Sequence, residues 1–176
     1  MSPGREALTP ATLQRLTVVA QISLHLMQVT TTLSESSVVW AKQMFWLVAP
    51  GIGADGGAFT AALSDRVNVI DGLQNRAFGV LRDLQDQLTV MLDVATTRGE
   101  VPGHLLVQLR ATLAGAPTQA REQQVVDLVE ARYKRLPVNQ ALSEIAQGVL
   151  ETCNEVQRLN TEMAAGMRAL PELQRA

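Results

Sequence analysis

Apolar residues recur at three- and four-residue steps along most of this chain, so α-helix is the expected element nearly throughout. Thr9-Pro10 makes a favourable helix start, because proline at the first helical position gives up no needed donor. The repeat Leu16, Val19, Ile22, Leu26, Val29, Leu33, Trp40, Met44 and Leu47 then predicts a first helix over about 11–49. The pattern is interrupted from Ser34 to Ser37, which leaves open one continuous helix or two with a bend at Glu35-Ser36-Ser37. Pro50 and the glycines of Gly51-Ile52-Gly53-Ala54-Asp55-Gly56-Gly57 end it.

A second helix is predicted over about 59–97 from the seam Leu63, Val67, Ile70, Gln74, Ala77, Leu81, Leu84, Leu88, Met91 and Ala95, broken only by Gln74. Spacing of this kind keeps one stripe turned toward a neighbouring helix. Gly72 and Gly79 weaken the helix unless a neighbour approaches closely there. Arg98-Gly99-Glu100-Val101-Pro102-Gly103 closes it. A short helix over about 104–114 follows, with Leu105, Leu106, Leu109 and Leu113, and a charged one over about 118–136 offers Val126, Val129, Tyr133 and Leu136. Pro137 kinks or separates the last helix, 138–169, whose seam is Leu142, Ile145, Val149, Thr152, Val156, Leu159, Met163, Met167 and Leu170.

No strand-like alternation or convincing repeat interrupts this series. The expected fold is all-α, an elongated helical bundle with three long heptad-patterned helices and two shorter ones. One domain is expected over 10–170, with flexible ends at 1–9 and 171–176.

Composition sharpens this picture without changing it. Of 176 residues, 47% are hydrophobic but only 3% aromatic, so Leu, Val, Ala and Met carry the apolar side, a bias toward helix. A formal charge of -2 gives no electrostatic reason to expect nucleic acid as a partner. The lone Cys153 allows no intrachain disulfide, and the first residues lack the apolar core of a secretory signal, so a reducing cytoplasm is the expected location. No run of eighteen uncharged apolar residues occurs; Leu16 to Leu33 comes nearest but carries Gln21, Ser23, His25, Gln28 and three threonines.

Catalytic and ligand signatures are missing. His25 and His104 have no glutamate three residues before them, as carboxylate-bridged metal bundles require, and no set of convergent ligands is apparent. The glycine-rich turn has no phosphate-loop match and follows a helix instead of a strand. Asp83 and Asp86, beside Arg82, read as a solvated outer face, and Arg132, Lys134 and Arg135 around Tyr133 as a solvated helix end. Cys153, next to the seam position Thr152, reads as an inert packed thiol. No enzyme activity, cofactor, metal or small-molecule substrate is expected.

Two features remain. Between Ala11 and Ala54 the ionisable residues are Arg15, Glu35 and Lys42 apart from His25, so the first helix is unusually poor in charge. Four of the six aromatic residues, Trp40, Phe45, Trp46 and Phe59, fall around the glycine-rich turn. A segment apolar around most of its circumference needs cover on every side. Three fates are open to it: the later helices fold over it as core, it docks on another copy or another protein, or it dips into a bilayer. The expected function is a non-enzymatic interaction or assembly protein that self-associates or binds a protein partner through Trp40, Met44, Phe45, Trp46, Leu47, Ile52 and Phe59. Engagement of a membrane or lipid surface by the same residues is the alternative.

Overall fold

The computed structural model describes residues 4–48, 56–113, 127–129 and 131–168. The chain is an all-α helical bundle. Helix α1 spans Pro10–Val48, α2 Gly56–Arg98, α3 Gly103–Thr112 and α4 Val138–Arg168, and residues 127–129 and 131–133 are also helical. Positions 118–126 of the expected charged helix lie outside the described residues. Helix α1 is continuous through Ser34–Ser37, so the gap in its apolar pattern does not divide it in two. Contacts divide the chain into two compact units, Met1–His25 with Leu81–Asn154, and Leu26–Val80 with Glu155–Ala176.

In the first unit, Thr9 caps α1. Its Oγ1 accepts from the Thr12 amide at 3.2 Å, satisfying a donor that the helix start leaves orphaned, and its carbonyl accepts the first intrahelical bond, from the Leu13 amide at 3.0 Å. The core is built from Leu16, Val19 and Ala20 of α1, the α2 run from Leu84 to Ala95, Leu105 and Leu109 of α3, and Val138, Leu142, Ile145 and Val149 of α4. The expected α1 seam departs from the structure at Ile22. Ser23 turns inward instead, its hydroxyl 3.7 Å from the buried Cys153 thiol, while Ile22 faces out. A 3.6-residue helix drifts off a strict repeat, and the small serine fits where two helices pass closely.

The sequence pattern showed no strand, yet Glu6–Ala7 (β1) pairs in parallel with Gly99–Glu100 (β2), Glu6 opposite Gly99 and Ala7 opposite Glu100. Two residues are too few to carry an alternation. What holds β1 is tertiary. The amide of Asn139 donates to the Ala7 carbonyl at 3.2 Å, and its oxygen accepts from the Thr9 amide at 2.9 Å. The Glu6 carboxylate accepts from the Val138 amide at 3.2 Å, placing a negative group on the N-terminus of α4. A Cβ at Gly99 would meet Leu8 at 3.0 Å and the Ala95 carbonyl at 3.2 Å, so only glycine fits there unstrained. Pro137 separates α4 from the preceding turn, and the Arg98 guanidinium holds that turn by donating to the carbonyls of Tyr133 and Leu136.

The second unit packs the C-terminal part of α1, the N-terminal part of α2 and the end of α4. Leu26, Leu63, Ile70, Ala77, Val156, Leu159 and Met163 are its buried hydrophobic residues. Gln74, the one polar residue in the α2 seam, meets the polar gap in α1: its amide donates to Ser34 Oγ, and its oxygen lies 3.2 Å from Ser37 Oγ. Between α1 and α4, Asn160 donates to Thr30 Oγ1 at 2.9 Å while the threonine hydroxyl donates to the Leu26 carbonyl at 2.8 Å. Polar pairs of this kind penalise every register that would separate them. Gly166 lets α4 approach α2, since a Cβ there would come within 3.3 Å of Ile70. Gly72 and Gly79 have open space instead, so no close neighbour accounts for them.

Candidate interaction surface

The described end of α4 lies beside α2 in the second unit. Helix α4 runs antiparallel to α2, with Glu155 beside Arg76 and Gly166 beside Ile70. Ile70, in turn, lines a small cavity of about 80 Å³ together with Ser37, Val38, Trp40 and Ala41 of α1 and Val67, Asp71 and Gln74 of α2. The last residue of α4, Arg168, is less than one turn beyond Gly166. Past Trp40, α1 runs on for about another 12 Å to Val48.

The expected site residues divide accordingly. Trp40 and Met44 are half-buried and share the face of α1 that carries Leu26, Thr30 and Ser37 inward. The Trp40 indole nitrogen is buried without a hydrogen-bond partner among the described residues. Phe45 and Trp46 point away from that face, 66% and 72% exposed, with their rings edge to face at 6.3 Å between centroids. Leu47 belongs to α1 and Phe59 to α2, but their side chains lie outside the described residues, as does Ile52 altogether. Of the four whose side chains are described, Trp40 and Met44 lie on the inward face and Phe45 and Trp46 face outward.

The outward patch includes residues that the aromatic cluster alone does not single out. Val38 and Val39 are 46% and 53% exposed, and with Phe45, Trp46, Thr31, Glu35 and Lys42 they fall within about 120° of the α1 circumference. Thr31 and Thr32 donate their hydroxyls to the carbonyls of Met27 and Gln28, at 2.8 and 3.0 Å, so covering them strands no hydroxyl proton. The signal in the sequence was the pair Val38-Val39 falling opposite the inward Ser37 and Trp40. By length and composition α1 is also apolar enough to cross a membrane, with a mean hydropathy of 1.2 over an 18-residue window, a third of which is buried.

A second concavity, which no sequence pattern marks, belongs to the first unit. Asp83, Asp86 and Gln87 of α2, Glu144, Ile145, Gly148 and Thr152 of α4, and Val129 and Tyr133 line a groove of about 370 Å³. The two aspartates thus edge a groove, not a plain outer face. Their spacing on a helix surface looks the same in either setting, so only tertiary packing distinguishes them. Elsewhere the chemistry is quiet. His25 and His104 are exposed, and no cluster of three metal-ligating side chains exists among the described residues. Burial pushes the Cys153 thiol up, and the Ser23 hydrogen bond opposes that only in part, so the unreactive protonated form is favoured.

No known protein family, curated protein or solved structure matches this chain.

Proposed function

We propose that this protein is a non-enzymatic helical interaction protein that docks through the charge-poor α1, using the outward face around Phe45 and Trp46. One observation carries the reading: two large aromatic side chains and two valines stand exposed on a single face of α1. Exposed Trp and Phe grouped with aliphatic residues are the usual anchors of an interface, because each removes a large apolar area from water on contact. Trp40 supports that face from behind, between α1 and α2. The lone buried thiol suits a reducing compartment, in keeping with a cytoplasmic location.

The hydropathy of α1 favours a second reading, in which the same face lies against a bilayer. Light scattering of the full chain at about 1 to 100 μM, with and without detergent and phosphatidylcholine–phosphatidylglycerol vesicles, separates the two. Docking predicts a mass above one chain that falls in Trp46→Ser, or retention by a protein partner that this variant loses. The bilayer reading predicts a monomer whose tryptophan emission shifts to the blue on vesicles. A monomer with unchanged emission, identical to Trp46→Ser in every arm, removes both.

A further inference from the structure

The outward face of α1 carries two charges of opposite sign, and their placement names a partner. Glu35 and Lys42 are exposed, lie on the same face as Val38, Val39, Phe45 and Trp46, and make no ion pair among the described residues. Seven residues apart, they stand about 10 Å from each other along the helix, too far to pair within one chain. Val38 and Val39 sit midway between them.

We infer that the occupant of this face is a second copy of the same chain, packed antiparallel along α1 about a twofold axis between Val38 and Val39. That axis brings Glu35 of each copy opposite Lys42 of the other, forming two identical ion pairs, and sets Val38 against the second copy's Val39. It also places Trp46 over the second copy's Thr31, whose hydroxyl is already satisfied by its own helix. An isologous contact requires self-complementarity of this kind, residue i meeting j while j meets i. A parallel pairing would put Glu35 against Glu35 and Lys42 against Lys42. The exposed ion pairs select register and direction, and the apolar side chains supply the attraction. One helix pair is smaller than a standard stable interface, so association in the micromolar range is expected.

This inference rests on the docking reading above, and sedimentation equilibrium of the full chain from about 1 to 200 μM tests it. Wild type should reach a dimer. Glu35→Lys and Lys42→Glu should each weaken self-association about tenfold by setting like charges opposite each other twice per dimer, and the double exchange E35K/K42E should restore it to within about threefold. Far-UV circular dichroism checks that each variant is folded, as exposed positions allow. A dimer sensitive to Trp46→Ser but not repaired by the double exchange overturns the antiparallel pair and leaves docking through the aromatic face standing. A wild-type monomer across the range overturns the pair as well, and a blue shift on vesicles in that case assigns the face to lipid.

Discussion

Replacing Thr30 with valine removes one hydroxyl and almost no volume, which makes it a clean probe of the polar layer between α1 and α4. Thr30 is fully buried and Asn160 is 5% exposed. In the native layer the Asn160 amide donates to Thr30 Oγ1, and the hydroxyl donates onward to the Leu26 carbonyl. Valine leaves the amide buried without its acceptor, which costs about 1–3 kcal/mol. For a chain of this length about 2 kcal/mol corresponds to a loss of about 4–8 °C in Tm. Asn160→Leu should cost less, about 1 kcal/mol or below, because the threonine hydroxyl keeps its bond to Leu26. In Thr30→Val/Asn160→Leu both polar groups are gone and an apolar pair of similar volume takes their place. That double variant should lie within about 1 kcal/mol of wild type. The cycle is read from urea midpoints followed by circular dichroism, with the m-value checked for constancy. A Thr30→Val cost under about 0.5 kcal/mol, or a double variant as unstable as the two single changes added together, would refute the reasoning, since either denies that the groups are energetically coupled.

Three further outcomes follow from the helices. Gly72→Ala and Gly79→Ala should each stabilise by about 0.5–1 kcal/mol in thermal melts, because both lie exposed in α2 with open space at Cβ, whereas Gly166→Ala should destabilise through its contact with Ile70; equal effects at all three would contradict the packing. Cys153 should react with a thiol reagent far more slowly in native protein than in urea, and Ser23→Ala should slow it further by removing a partner that lowers its pKa; rapid native labelling would contradict its burial. Glu155 is held below the usual carboxylate range by the Arg158 hydrogen bond, with smaller help from the charges of Arg158 and Arg76. A depressed carboxylate stabilises the fold above its unfolded pKa and loses that contribution as pH falls through the folded one. The Tm of wild type should therefore drop more than that of Glu155→Gln below about pH 4, less so in 1 M salt, and parallel pH profiles would count against the pair.

Much of the architecture was legible because helix periodicity is written locally. The α2 and α4 seams, from Leu63 to Ala95 and from Leu142 to Met163, are buried at nearly every apolar position. The irregularities were informative too: Gln74 and Ser34 to Ser37 broke two separate patterns and turned out to be each other's partners. Ile22 misled because neighbouring positions on a helix are separated by only about 100°, and a slight rotation exchanges it for Ser23. The β1–β2 pair and the groove beside Asp83 could not be read, since each depends on residues far apart in the chain.

An all-α chain, the positions of its long helices and the scarcity of charge along α1 follow from side-chain spacing and composition within single segments, and so are readable before any folding. Which face of α1 is covered does not follow from one segment, because it is set by the offsets of α2 and α4 against α1, fixed by the polar pairs and the close approach at Gly166. Trp40, on the face of α1 that packs on α2, is half-buried, while Trp46, six residues further on and turned away from that face, stands in water.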